Sequence, residues 1–147
     1  MYNLAKRQVE VEILPLARSE GLGVVTYSPL GGGLLTGKYG VGKRPERGRL
    51  LEQDNYIKRY ANPVYYEIAE RFVQYAGDQG VHPATLALAW VMKHPDLSAP
   101  IIGGRDLDQL RPSLAALEFE LSTEMYAEIS ALTIAPPPPT DRAEVQA

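Results

Sequence analysis

An α/β fold with a parallel sheet is what this sequence predicts, on three observations. Gly23-Val24-Val25-Thr26-Tyr27 and Ala99-Pro100-Ile101-Ile102 are short apolar runs without polar alternation, the pattern of strands buried on both faces. Each run ends in a glycine-bearing turn, Ser28-Pro29-Leu30-Gly31-Gly32-Gly33 in one case and Gly103-Gly104-Arg105 in the other. Around them lie stretches with apolar residues at helical spacing, so that strands alternate with helices.

The elements follow in order. Residues 9–20 carry Val9, Ile13, Leu16 and Ala17 at helical spacing. Pro15 belongs in a first turn, so the helix starts late, and Gly21 suits its end. The first strand covers 23–27. Residues 28–55 read as one long glycine-rich and then basic loop, and loops of that length are commonly functional. Asn62-Pro63 opens a helix whose apolar stripe is Tyr65, Ile68, Ala69, Phe72, Val73 and Ala76, and Gly80 closes it. Pro83 opens a second helix, to about His94, that is apolar all round and therefore buried, with Trp90 in the core. After the second strand comes a helix with Leu107, Leu110, Leu114 and Leu117 on one side and Pro112 in an early turn. A last helix, capped by Ser122, carries Met125, Ile129 and Leu132. Residues 1–135 form one domain, with 1–4 finishing a third strand, and 136–147 form a frayed Pro-rich polar tail. Two or three parallel strands cannot cover both faces and both edges of a sheet, so the elements look like part of a larger fold.

Composition narrows the function. With 15 basic and 18 acidic residues, the net charge of −3 excludes a strongly basic nucleic-acid binder. The absence of cysteine excludes thiolate metal sites, disulfide scaffolds and Cys nucleophiles. No apolar run approaches the length of a membrane span, and the first residues lack a basic-then-apolar leader, so a cytoplasmic protein is expected. His82 and His94 both stand near helix ends without carboxylates at metal spacing, so capping is expected of them and no metal. Asp54, Tyr56 and Lys58 are chemically apt for acid–base work but match no catalytic spacing and read as solvated. The basic residues at 43–49 read as a solvated loop, with a clamp on a bound anion as the alternative.

The chemistry concentrates at the two strand ends. From Tyr27 through Ser28, Leu30, Gly31 and Gly33 to Lys38, glycines allow a close backbone approach, Ser28 and Thr36 offer hydroxyls, and Lys38 adds charge. The segment Gly32-x4-Gly37-Lys38 nearly fits a P-loop. Tyr39 stands where the Mg²⁺-binding Ser or Thr is required, so an NTPase is not the expectation. At the second strand end, Gly103 and Arg105 precede a helix, Gln109 lies one turn on, and Ser113 one turn further. Helix N-termini attract phosphate, and arginine pairs with it bidentately. Two anion sites in a short chain point to a phosphate-rich ligand.

These motifs, Tyr-Ser-Pro-Leu-Gly-Gly-Gly-Leu-Leu-Thr-Gly-Lys and Ala-Pro-Ile-Ile-Gly-Gly-Arg-x3-Gln-Leu, together with Tyr2-Asn3-Leu4, Arg7 and Ala-Thr-Leu-Ala-Leu-Ala-Trp-Val at 84–91, resemble the C-terminal half of an aldo-keto reductase. The resemblance runs from Tyr2 to about Leu132. It implies the C-terminal strands and helices of a (β/α)8 TIM barrel that reduces carbonyl small molecules with NADP(H). It implies that Tyr27 stacks on the nicotinamide, and that Ser28, Leu30 and the glycines hold the pyrophosphate. It implies that Gly103, Arg105 and Gln109 hold the 2′-phosphate end, with Ser113 near the adenine where the family often has Asn. The loop from Gly40 to Asn55 corresponds to one that covers substrate and cofactor. The family's catalytic Asp, Tyr, Lys and His precede anything matching Met1, so no catalytic residue is expected here and the chain alone should be inactive. Two alternatives stand beside this: a non-catalytic NADP-binding or regulatory module, or a truncated product without function. Self-association through exposed strand edges is a further expectation.

Overall fold

In a computed structural model that describes residues 1–137, the chain is a layer of helices around one short parallel sheet. β1 (Val25–Thr26) pairs with β2 (Ala99–Pro100) in parallel, Val25 opposite Ala99 and Thr26 opposite Pro100. The ladder is carried by Ser98 N–H to Val24 O at 2.8 Å and Ile101 N–H to Thr26 O at 2.7 Å. Ala99 and Ile101 thus face β1, so the missing N–H of Pro100 falls on the outer edge of β2, where proline is tolerated. The α/β class and the parallel pairing are as expected, although both strands are shorter than the apolar runs that mark them.

The helices follow the chain as α1 (Ile13–Ser19), α2 (Arg49–Glu52), α3 (Asp54–Arg59), α4 (Val64–Asp78), α5 (Pro83–Lys93), α6 (Leu107–Leu114) and α7 (Thr123–Ala131), with 3-10 turns at Gln8–Glu10, Gly31–Thr36 and Ala115–Leu117. Local chemistry sets their ends. Asn62 Oδ1 accepts the Val64 N–H at 3.0 Å, His82 Nδ1 the Ala84 N–H at 3.1 Å, and Ser122 Oγ the Met125 N–H at 3.1 Å. Gly80 takes φ +67, and the Val81 N–H then reaches back to Ala76 O at 2.9 Å to close α4. α5 is the core helix. Leu86, Ala87, Leu88, Trp90 and Val91 are buried on it among Phe72, Ile129, Tyr2, Leu4 and Leu35.

Three expectations are corrected and one is refined. Residues 1–4 make no third strand among the described residues. Asn3 instead bridges to Lys6, and the Tyr2 N–H touches the end of β1 at Tyr27 O, 3.2 Å away. In the segment 9–20 the helix does start late: a 3-10 turn at Gln8–Glu10 precedes α1, and Pro15, its third residue, lies in the first turn as expected. The long loop at 28–55 is interrupted by the 3-10 turn at Gly31–Thr36 and by α2 and α3. Those two helices have four and six residues and Leu50 as their single buried residue, too little for a visible stripe. Pro112 lies late in α6 rather than early. It strips a partner from the carbonyl of exposed Asp108, and its own carbonyl accepts the Thr85 hydroxyl at 2.6 Å. The expected tail at 136–147 lies, beyond residue 137, outside the described residues.

Apolar faces stand open at several places. Ile13 and Leu16 on α1 are 56% and 60% exposed, and Leu107 at the start of α6 and Leu117 in the 3-10 turn after it are 66% and 70% exposed. No helix among the described residues is long and apolar enough to cross a membrane.

His94 closes α5 by accepting the Asp96 N–H at 3.3 Å and meets Tyr2 edge-on, with ring centroids 5.7 Å apart. Burial pushes its pKa below the ordinary value. The folded state therefore favours neutral His94, and that contribution is present above the unfolded value near 6.5 and fades as pH falls below it. The thermal midpoint should drop between pH 7.5 and 5.5, and His94→Gln should flatten that drop. Circular dichroism melts across this range check it, and identical slopes in both proteins would refute it.

Candidate functional site

Because β1 and β2 are parallel neighbours, their C-terminal ends emerge side by side, and the two sequence motifs leave the sheet next to each other. Tyr27 follows β1 and is 48% exposed. Ser28 takes φ +57, a left-handed conformation that is costly for a residue with a side chain. Two bonds hold it there: its carbonyl accepts the Gly31 N–H at 3.0 Å and the Asn3 side-chain amide at 2.9 Å. Asn3 is wholly buried, also donates to Tyr60 Oη at 3.1 Å, and accepts the Ala5 N–H at 3.0 Å. The buried Thr26 hydroxyl, one residue before Tyr27, has no partner among the described residues.

Gly31, Gly32 and Gly33 have φ of +60, +69 and +99. At Gly32 a Cβ would stand 2.6 Å from Tyr56 Cδ1, and at Gly33 it would stand 2.6 Å from Lys38 Cε. Left-handed backbone and crowding both exclude a side chain there. The N–H groups of Gly31 and Gly33 are spent on Ser28 O and Leu30 O, both at 3.0 Å, and Leu30 is partly buried against the core. The Gly32 N–H has no acceptor among the described residues, and neither have those of Ser28 and Leu30, so these are amides the loop can offer a ligand.

Charge gathers around this loop. Lys38 is held below the usual lysine range first by burial and then by the positive charges of Arg105 and Arg49, so cations from both motifs and from α2 converge. Among the described residues Lys38, Arg49, Arg59 and Arg105 form no ion pair, whereas Arg47 is paired with Glu52. Lys43 donates to Gly37 O at 2.8 Å, and Arg44 lies 3.9 Å from the centre of the Tyr66 ring, so these two basic residues serve the loop itself. An anion placed among the unpaired cations relieves their mutual repulsion.

On the second motif, Gly103 faces open space, while Gly104 is crowded by Asp106 O at 3.0 Å and Leu110 N at 3.2 Å from a hypothetical Cβ. Arg105 and Gln109 are exposed, whereas Ser113, one turn beyond Gln109 on α6, is 3% exposed. The N-terminus of α6 already holds the Asp106 carboxylate, which accepts the Gln109 N–H at 2.8 Å. Phosphate affinity at this turn therefore rests on the Arg105 side chain more than on free helix N–H groups. No group of three or more His, Asp or Glu among the described residues could hold a metal ion.

Sequence reasoning did not assign Asn3, Arg59 or Tyr56 to the site, and offered Arg49 only through the alternative clamp at 43–49. The i, i+4 spacing of Tyr56 and Tyr60, whose rings stack at 6.5 Å on α3, was the available signal for one of them.

Fold and site define an α/β protein with a glycine-rich, cationic surface at the C-terminal ends of parallel strands, where α/β folds bind phosphate-bearing ligands. The chain belongs to the aldo/keto reductase family, whose model matches residues 1–134. It is 40% identical over 124 residues to the uncharacterized oxidoreductase YrpG of Bacillus subtilis, covering 84% of this chain and 36% of that protein. It is 38% identical over 135 residues to mouse aflatoxin B1 aldehyde reductase member 2, covering 80% of this chain and 36% of that protein. It is 37% identical over 147 residues to a probable voltage-gated potassium channel subunit beta of rice, covering 95% of this chain and 44% of that protein. The chain thus spans less than half the length of these relatives.

Proposed function

We propose that this chain is the NADP(H)-binding, C-terminal half of an aldo/keto reductase barrel. The observation that carries this is the gathering of Lys38, Arg49 and Arg105, which form no ion pair among the described residues, about a glycine loop whose Gly32 N–H has no acceptor among them. Family members generally use NAD(P)H, and the oxidoreductase and reductase names of two relatives support reductase-like chemistry. Tyr27 offers its half-exposed ring to the nicotinamide. Ser28, Leu30 and Gly31 to Gly33, with Lys38, hold the pyrophosphate, and Gly103, Arg105 and Gln109 hold the 2′-phosphate end. Ser113 is too buried to reach the adenine unless α6 shifts. When bound, the dinucleotide supplies hydride to the carbonyl carbon of a small-molecule substrate. Proton donation belongs to the family's Asp, Tyr, Lys and His, which match nothing here, so the chain alone binds without turnover. The working protein is completed by the other half of the fold, and the open β1 edge and the exposed faces of α1 and α6 are where that half docks. Self-association uses the same β1 edge, because Pro100 leaves the outer edge of β2 a donor short. No nucleic acid and no membrane enters this function, and the compartment is cytoplasmic.

A non-catalytic NADP-binding or regulatory module is the second reading, favoured by the 95% coverage of this chain by the channel-subunit relative. Saturable binding without turnover supports both readings, and carbonyl reduction on adding the missing half selects the first. The test of the ligand is a titration with NADPH and NADH. Arg105→Ala should weaken NADPH about tenfold or more and NADH less than about threefold, the scale of a lost charge-assisted bond. Equal losses would overturn the assignment of Arg105 to the 2′-phosphate.

A further inference from the structure

The glycine motifs leave the C-terminal ends of the strands. At the other end of the sheet, α5 runs out at Lys93 and the chain turns into β2. There a groove of about 430 Å³ lies between the last turns of α5 and the segment that joins α6 to α7. Buried Ala89, Ala116 and Leu121 form its floor, and the two alanines let another backbone come close. Met92, 36% exposed, and partly buried Phe119 are its apolar walls. Ser122 Oγ is spent on the Met125 N–H at 3.1 Å, so the polar side chains left to an occupant are Lys93 and Glu120. The surroundings are acidic. Residues 118–128 hold four glutamates, Glu118, Glu120, Glu124 and Glu128, and no Lys, Arg or His. All four are exposed, and none forms an ion pair among the described residues. Glu128 accepts the Tyr75 hydroxyl at 2.6 Å. The backbone N–H of Glu124 itself, then Ser122, hold its carboxyl below the ordinary range, so it is charged at neutral pH. Lys93, which also acts on Glu124, is the single cation that lines the groove.

We propose that this groove docks a cationic amphipathic helix of another protein, with the helix's apolar face laid between Met92 and Phe119 and its lysines or arginines meeting Glu118, Glu120 and Glu124. The mode is that of a helix in an apolar groove: the floor and walls select the spacing of the apolar anchors, and the rim selects the charge. The chain's own residues 138–147 set Asp141 and Glu144 against Arg142, so they complement an acidic rim poorly. A second copy of the chain carries a net charge of −3 and is repelled by the same rim. The groove lies apart from the glycine loop, and its occupation does not depend on the dinucleotide reading.

The test is fluorescence anisotropy of the full chain with a labelled peptide of about 14 residues, built of leucine and lysine with the leucines at i, i+3, i+4 and i+7 spacing. The peptide should bind and gain helical circular dichroism as it does. A leucine and glutamate peptide of the same spacing should bind at least about tenfold more weakly. Glu120→Lys should weaken the lysine peptide about threefold or more, and Lys93→Gln should tighten it, with both effects shrinking at about 1 M salt. Met92→Ser should weaken it about threefold or more. Ile13→Ser and Leu107→Ser, on the other open apolar faces, should leave it unchanged. Circular dichroism verifies that each variant is folded. Failure to bind, or equal binding of the lysine and glutamate peptides, overturns the proposal. So does a loss on Ile13→Ser or Leu107→Ser as large as that on Met92→Ser, which would mean unspecific attachment to apolar surface. Binding that begins only when residues 138–147 are deleted would put the chain's own tail in the groove. Self-association that Met92→Ser abolishes would put a second copy there. Either result refutes the docking of another protein.

Discussion

Asn3→Leu should destabilise the fold by about 2–4 kcal/mol and weaken NADP(H) binding, because one buried amide serves both the core and the site. Leucine keeps the volume but removes a donor and an acceptor. The Ala5 N–H loses its Asn3 Oδ1 partner at 3.0 Å in a place closed to water. Tyr60 keeps only a long contact to Met1 Sδ at 3.6 Å. The Ser28 carbonyl retains the Gly31 N–H at 3.0 Å and is not orphaned. This is why the expected cost lies below that of three full losses. The functional effect comes through Ser28. With φ at +57 it holds a conformation it does not favour, and half of what pins it there is the Asn3 amide. Released, Ser28 relaxes toward negative φ and carries its hydroxyl and the flanking Tyr27 with it. Asn3→Asp sharpens the test, since it keeps the acceptor for Ala5 but sets a buried negative charge against the Ser28 carbonyl. Urea denaturation and NADPH titration of both variants check this. Leucine tolerated within about 0.5 kcal/mol with unchanged affinity would show that the network neither stabilises the fold nor holds the site.

What could be read in the sequence was local. Asn62-Pro63, Pro83 and Ser122 each announce a helix through groups within three residues, and each does so in the structure. The two strand ends were legible because apolar runs followed by glycines are also local signals. Asn3 was not, because its partners lie 25 and 57 residues away and a single polar residue has no periodicity. Nor was it visible that Gly32, rather than Gly31 or Gly33, keeps a free N–H. That follows from which turn bonds close, and three successive glycines look alike in sequence. α2 and α3 escaped because one buried leucine cannot make a stripe. The stripes at Ile13–Leu16 and Leu107–Leu117 were seen, but periodicity says that a face is apolar and not what covers it, and here they stand exposed.

Trp90→Ala should cost about 3–5 kcal/mol, a large part of the about 5–15 kcal/mol that native domains usually hold. Trp90 is fully buried and sits between Tyr2 and Tyr126, with ring centroids 5.2 and 5.7 Å away and planes within 27° and 15° of parallel. It therefore joins the N-terminal segment, α5 and α7 in one stack, and its Nε1–H donates to Ser130 Oγ at 2.9 Å. Alanine leaves a cavity between these three elements. Trp90→Phe keeps an aromatic layer and gives up the indole bond. Ser130 Oγ still donates to Tyr126 O at 2.7 Å, so the expected cost is about 1–2 kcal/mol. The site should respond in the same order. Tyr2 presses on Trp90 and gives its N–H to Tyr27 O, and Asn3 follows it in the chain, so loss of the stack loosens the segment that holds Ser28. In urea titrations followed by circular dichroism, alanine should lower the midpoint markedly, while phenylalanine keeps a midpoint nearer that of the unaltered chain and NADPH binding. If alanine costs less than about 1.5 kcal/mol, the aromatic stack is not what couples the N-terminal segment to the helices, and the pinning of Ser28 must be independent of the core.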